Sequence, residues 1–415
     1  MIDMYPKSNI DLSVDFCGVK FPNPFVLAAA PPTDDLEMLR QGFKAGWGGA
    51  VLKTTSVEGT RVDLKYPMMT SMEYEGGRIS ALGNIDLISE HHIDKVEERV
   101  KALKAEFKDN VVIASIMGSK QEDWETLVAR LGEAGVDMIE CSFSCPQGTL
   151  GSGKPGAMLG QDPVLAGKVA GWVKTAALKA AEKRGRILPV VMKLTPHVTD
   201  FVEVAKSVTD AGADAVCVSN TIKSLMGVDL VSFIPNPNVG GKSTFSGMSG
   251  PAVKPVVLKL VADVAKKLGV SITASGGATT WSDAAEFILC GAKTVQVCTA
   301  VMHHGFDIIE DLSEGLADYL AAKGLNSVAD IYGRSLPNIS SHDELNYSEK
   351  VQAKVEQSLC IGCGDCFIAC RDGGHQAIKT DAERKASVDI EKCVGCGLCR
   401  LVCPVKGCIG MMKKV

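Results

Sequence analysis

A basic excess is the first thing this sequence lacks. Lys and Arg number 44 against 49 Asp and Glu, a net charge of −5 over 415 residues, and aromatics make up only 5%. No Lys/Arg run recurs with interleaved aromatics, as binding of single-stranded nucleic acid requires, so no nucleic-acid partner is expected. Long apolar runs are missing too. A spanning helix needs about 18 consecutive apolar residues, and with none present no membrane association is expected. The opening MIDMYPKSNIDLSVDF carries acids and a proline where a secretory signal would be basic and then apolar, so a cytoplasmic protein is expected. Two nucleotide signatures are also absent. No G-x-G-x-x-G directly follows a strand, since GSGKPG at 151–156 has those letters but lies in a glycine-rich loop well past the 138–142 run, and it also lacks the fixed spacing of a P-loop.

What is present is enough apolar material for a large core, at 46% hydrophobic and 22% charged. Short apolar runs at 25–30, 50–54, 111–117, 138–142, 190–195, 215–220, 272–276 and 294–299 read as eight strands. Helical patterns at 36–44, 123–134, 163–181, 202–211, 252–268 and 281–289 lie between them. Unbroken apolar strands alternating with helices imply a parallel sheet covered on both faces. Eight such repeats predict an α/β fold of the (β/α)₈ TIM barrel type, although a doubly wound open sheet has the same local pattern. The phrases AGWGGA, EAGVDMIE, DAGADAV and LCGAKTV place a glycine where a helix closes before the next strand. The predicted domains are a barrel over 1–310, a helical segment and polar linker over 311–350, and a third region over 351–415.

That third region changes composition abruptly. Nine of the fifteen cysteines fall between 360 and 408. Cys360, Cys363, Cys366 and Cys370 follow the spacing C-x₂-C-x₂-C-x₃-C, and Cys393, Cys396, Cys399 and Cys403 repeat it, ending in Pro404. In two-cluster ferredoxins of this spacing the fourth cysteine of each run serves the other run's cluster. One [4Fe–4S] cluster is therefore assigned to Cys360, Cys363, Cys366 and Cys403, and the other to Cys393, Cys396, Cys399 and Cys370. Zinc knuckles are the alternative. Arg371 stands where proline is usual after the first run, and Cys408 is read as a small buried residue without a ligand role.

Barrel enzymes do their chemistry at the C-terminal ends of the strands. Polar residues gather there: Lys53 and Thr54, Lys193, Asn220 and Thr221, the pair Gly276-Gly277, and Thr299. The glycine pair is a candidate phosphate nest. Cys145 follows the fourth strand in a glycine-rich loop and is a candidate catalytic acid.

On FCGVKFPNPFVLAA, AGWGGAVLKT, VVIASIMG, CSFSCPQ, MKLTPHVTD, SNTIKS, GMSGPAVKP and VQVCTAVM, followed by the cysteine tail, the chain resembles dihydropyrimidine dehydrogenase. The resemblance is nearest to the flavin-and-cluster subunit of the bacterial NAD-dependent type, and extends in the barrel to dihydroorotate dehydrogenase. It implies FMN surrounded by Ala29, Lys53, Thr54, Lys193, Gly250, Gly276, Gly277, Cys298 and Thr299. It implies substrate contacts from Asn84, Asp86, Ile88, Ser142, Asn220 and Thr221, with Cys145 as general acid. The activity implied is reduction or oxidation of the C5–C6 bond of uracil or thymine. Electrons would pass through the clusters from an FAD- and NAD(H)-binding partner subunit or from a ferredoxin, in a homo- or hetero-oligomer. Two positions depart from the pattern. Ser142 replaces an asparagine and Asp86 a glutamate, so a different cyclic enone or amide is an alternative substrate. Dihydroorotate dehydrogenase and an electron carrier with a retired barrel are alternative functions.

Overall fold

The computed structural model describes residues 10–57, 62–74, 78–143 and 159–414. Eight short strands, β1 (Phe25–Leu27), β2 (Gly49–Thr55), β3 (Val111–Ile116), β4 (Met138–Ser142), β5 (Val190–Lys193), β6 (Ala215–Val218), β7 (Ser271–Ser275) and β8 (Thr294–Val297), form a closed barrel. Each pairs in parallel with its neighbours in the chain, and β8 returns to β1 through Val295↔Phe25 and Val297↔Leu27. The open-sheet alternative is thereby excluded. Strands buried on both faces must be apolar on both, which is why they read as continuous runs rather than as alternation.

Helices α1 (Leu36–Ala45), α2 (Ile93–Glu106), α3 (Gln121–Ala134), α4 (Pro163–Arg184), α5 (Phe201–Asp210), α6 (Lys254–Leu268) and α7 (Trp281–Leu289) each follow the strand of the same number. Asp35, Asp162 and Asp200 accept backbone N–H groups at the starts of α1, α4 and α5. Gly46, Gly135, Gly212 and Gly291, one from each of the four αβ phrases, have left-handed φ between 102° and 114°. The main core lies between strands and helices. A smaller core fills the barrel's N-terminal end, where a hairpin of Val14–Phe16 and Val19–Phe21 packs Phe16 and Phe21 against Val26, Val51, Ile113 and Val191. With that end plugged by aromatic rings, the polar chemistry is confined to the other.

Two excursions from the barrel meet there. Strands Met69–Tyr74 and Arg78–Asn84, inserted after β2, join Ile222–Ser224 and Ser246–Ser249, inserted after β6, in a four-stranded antiparallel sheet. Gly247 pairs with Asn84, which ties the two insertions together.

After β8 come α8 (Thr299–His304) and α9 (Ile308–Ala322). Ile309, Leu312, Leu316 and Leu320 of α9 are buried, and Tyr319 stacks on Trp281 of α7 with ring centroids 5.5 Å apart. This helix is part of the barrel's outer layer, and the first compact unit runs to Asn338. Among the described residues no helix is long and apolar enough to cross a membrane.

The second unit, Ile339–Val415, has two small antiparallel pairs, Val351–Val355 with Ile409–Lys413 and Ile378–Thr380 with Ala386–Val388. Each cysteine run turns through two left-handed glycines into a short helix, Asp365–Gly373 or Leu398–Val402. The φ angles are 72° and 89° at Gly362 and Gly364, and 75° and 82° at Gly395 and Gly397, so both runs trace the same backbone path. A Cβ on Gly395 would lie 2.3 Å from the Val351 carbonyl oxygen, so no larger residue fits that turn.

Candidate active site and cluster cavities

One cavity occupies the C-terminal mouth of the barrel. All fifteen barrel positions assigned from sequence to cofactor or substrate line it: Ala29, Lys53, Thr54, Lys193, Gly250, Gly276, Gly277, Cys298, Thr299, Asn84, Asp86, Ile88, Ser142, Asn220 and Thr221. Cys145 lies outside the described residues. Most of the set comes from strand ends, but Asn84 and Gly247 reach the cavity from the four-stranded sheet, where the Asn84 amide donates to the Gly247 carbonyl at 3.0 Å.

Two lysines supply positive charge, and neither stands alone. Lys53 Nζ donates to Asp86 Oδ1 at 3.1 Å and lies 3.8 Å from Asp34 Oδ2. Asp34 in turn takes a hydrogen bond from Ser89 at 2.6 Å and one from buried Arg99 at 3.3 Å. Burial pushes the Asp86 carboxyl above the ordinary carboxylate range, the Lys53 ammonium opposing it. Lys193 ends β5 opposite Ser142 of β4. Its ammonium donates to Gln296 Oε1 at 3.2 Å and stands 3.5 Å from Glu140 Oε1. Gln296 closes the triangle by donating to Glu140 Oε2 at 2.6 Å. Burial pulls Lys193 down, but the Glu140 carboxylate foremost outweighs it and the net direction is up, so the side chain is held as a cation. Burial pushes the Cys298 thiol up to about 11, which keeps it protonated.

The opposite wall is glycine. Gly276 and Gly277 follow β7 with φ of 134° and 88°. A Cβ on Gly277 would approach the Lys254 Cβ, N and Cα to 2.6, 2.7 and 2.8 Å, so only glycine lets the strand end pass the start of α6. The sequence marks this pair as a candidate phosphate nest. Thr299 donates to Ser249 at 2.9 Å beside it.

Sequence reasoning missed Glu140, Gln296, Asp34 and Ser249. Glu140 did leave a signal, because an acid inside the continuous apolar strand Met138–Ser142 is costly to bury unless it has a partner. Gln296 within β8 is the same kind of signal.

In the second unit the eight cysteines divide between two cavities. One is lined by Cys360, Cys363, Cys366 and Cys403, with Arg384 and Cys408; the other by Cys370, Cys393, Cys396 and Cys399, with His375. The spacing assigns the same two quartets to separate clusters. Backbone N–H groups point at sulfur, Ala377 to Cys370 at 3.3 Å and Ala353 to Cys393 at 3.4 Å, which favours the thiolate. Burial pushes the Cys370 thiol up, but the surrounding N–H groups outweigh it and its net direction is down. Among the described residues no group of three or more His, Cys, Asp or Glu side chains closes around a single ion. Cys408 is buried with its thiol toward the Glu356 carbonyl, and Arg371 pairs on the surface with Asp372.

The dihydroorotate dehydrogenase family model matches residues 11–320, and a 4Fe-4S dicluster domain model matches 353–411. The NAD-dependent dihydropyrimidine dehydrogenase subunit PreA of Escherichia coli K12 is 41% identical over 89% of this chain and 87% of its own length. The chloroplastic dihydropyrimidine dehydrogenase (NADP(+)) of Arabidopsis thaliana is 35% identical over 83% of this chain and 81% of its own. The dihydroorotate dehydrogenase B (NAD(+)) catalytic subunit of Methanothermobacter thermautotrophicus is 34% identical over 78% of this chain and 97% of its own. Among solved structures, dihydroorotate dehydrogenase from Eimeria tenella in complex with ferulenol matches at TM-score 0.64 and 21% identity, covering 81% of this chain and 91% of that one, a likeness of fold.

Proposed function

Because the chain belongs to the dihydroorotate dehydrogenase family and is an oxidoreductase acting on CH–CH groups, we propose that its substrate is a pyrimidine. The reaction is reduction of the ring C5–C6 bond of uracil or thymine, or its reverse. The observation that carries this reading is the convergence of Lys53, Lys193, the Gly276–Gly277 pair, Asn84, Asp86, Ser142, Asn220 and Thr221 on a single cavity.

The residues present fit FMN. A nest of backbone N–H groups at Gly276 and Gly277 suits a phosphate, and buried cationic Lys193 suits the ring edge that gains negative charge. When bound, the flavin supplies two-electron chemistry at a carbon–carbon double bond. The chain's own residues do the rest. Lys193 is fixed by Glu140 and Gln296, so its charge is in place before substrate arrives. Asn84, Asn220, Thr221, Ser142 and Asp86 orient a ring carrying carbonyl and N–H groups. Cys145 delivers or removes the proton at the neighbouring ring carbon; a thiol with an unperturbed pKa of about 8.5 is mostly protonated at neutral pH. The two cysteine quartets fit two [4Fe–4S] clusters by donor set, cavity and N–H···S bonds. Electrons reach them from a partner subunit or a ferredoxin.

A second reading, dihydroorotate oxidation, is favoured by the 34% identity of the Methanothermobacter relative. That relative is spanned to 97% of its length by 78% of this chain. The deciding experiment is anaerobic purification, flavin and iron analysis, and a substrate screen. FMN, about eight irons per chain and turnover of uracil or dihydrouracil support the proposal. Zinc in place of iron, no flavin, or turnover of dihydroorotate alone rejects it.

A further inference from the structure

The Glu140 carboxylate is 1% exposed, and its Oε1 accepts no hydrogen bond among the described residues, an expensive arrangement for a buried charge. The group facing that oxygen is the Lys193 ammonium, at 3.5 Å. Gln296 spans the pair, accepting from the lysine at 3.2 Å and donating to the glutamate at 2.6 Å, and the Cys217 thiol lies beside the carboxylate. The three side chains come from β4, β5 and β8, so the barrel's closure itself sets their separation. Lys193 and Gln296 line the cavity; Glu140 does not, and lies behind them.

We propose that Glu140 is the positioning residue and counter-ion of Lys193, and that it sets how much positive charge the barrel cavity presents to the flavin. The inference rests on the flavin reading of the cavity given above. A cation beside a flavin stabilises its anionic, two-electron-reduced form. A carboxylate behind that cation offsets part of this effect and at the same time fixes where the ammonium sits. Glu140 touches neither flavin nor substrate and acts through the lysine.

The test is the flavin midpoint potential, measured by equilibration with a reference dye in the purified holoprotein at neutral pH. Glu140→Gln, equal in size but uncharged, is expected to raise the potential by at least tenfold in the reduction equilibrium, about 30 mV for a two-electron couple. Lys193→Met is expected to lower it. In the Lys193→Met background, Glu140→Gln is expected to have no further effect, since the residue through which it acts is gone. A potential that is unchanged or lower in Glu140→Gln, or a shift that survives in the double variant, overturns the inference. If Glu140→Gln yields no folded flavoprotein, Glu140→Asp is read instead, because it keeps the charge but draws it back by one methylene. A smaller shift of the same sign supports the inference and none overturns it. A parent protein that binds no flavin overturns this inference and the proposed function together, whereas a flavin-loaded parent with an unmoved variant overturns this inference alone.

Discussion

Gly277→Ala tests the nest at the mouth of the barrel. Its backbone has φ of 88°, and moving an L side chain into left-handed space costs about 1–2 kcal/mol. The added methyl also meets three atoms of Lys254 at 2.6 to 2.8 Å, two of them backbone at the start of α6, where no rotamer change gives relief. Overpacking of that kind costs roughly 1–3 kcal/mol more. The sum of about 2–5 kcal/mol corresponds to a fall in Tm of roughly 3–7 °C for a compact unit that runs from Met1 to Asn338. Gly269→Ala is the matched control, because Gly269 has φ of 64° but nothing within 4 Å of an added Cβ. It should lose only the first contribution and keep its flavin. Thermal unfolding of both variants, with flavin content measured on the same samples, separates strain from clash. If Gly277→Ala matches Gly269→Ala in both Tm and flavin content, the close approach of β7 to α6 does not build the cofactor site.

Other predictions follow from single residues. Cys370→Ser should abolish the same cluster as Cys396→Ser, and Cys403→Ser the same one as Cys363→Ser; the low-temperature EPR spectra of the reduced variants check the pairing, and Cys370→Ser resembling Cys363→Ser would refute it. Cys145→Ala should keep flavin and iron but lower turnover about 10²–10⁴-fold, with Cys145→Ser between; steady-state turnover equal to the parent with chemistry rate-limiting would remove the thiol from the mechanism. Ser142→Asn should raise kcat/KM for uracil, since an amide donates and accepts toward an imide while a hydroxyl is shorter; no change marks Ser142 as a neutral replacement. Asp283 titrates below the ordinary carboxylate range, because the Lys254 ammonium and the Thr279 and Thr280 N–H groups outweigh its burial. A depressed folded pKa gives stability that is present above the unfolded value near 3.8 and lost as pH falls through the folded value. The stability gap between the parent and Asp283→Asn should therefore close below about pH 4, as denaturant unfolding against pH will show.

The eight barrel strands were legible because burial on both faces forces unbroken apolar runs, and the two cysteine runs because metal-ligand spacing is seldom accidental. The four-stranded sheet over the cavity was not. Its strands MTSMEY and RISALGN are mixed in polarity, and IKS and SGMS are too short to show a period. Helix α2 was passed over for a different reason. Its sequence IDKVEERVKALKAE is mostly charged, although Ile93, Val96, Val100 and Leu103 recur at helical spacing and are the positions it buries. The cavity residues named by resemblance meet at one mouth, but the partners that hold them, Asp34 after β1, Glu140 in β4 and Gln296 in β8, come from other parts of the chain and meet Lys53 and Lys193 only in the folded barrel.

The most direct test of the central claim is a single-turnover experiment. The protein, loaded with flavin and clusters and reduced under anaerobic conditions without any nicotinamide, is mixed with uracil in a stopped-flow spectrometer. The account predicts that the flavin absorbance returns as dihydrouracil forms in stoichiometric amount. Failure of uracil and thymine alike to reoxidise a fully loaded protein, while another cyclic enone or amide does so, would contradict it.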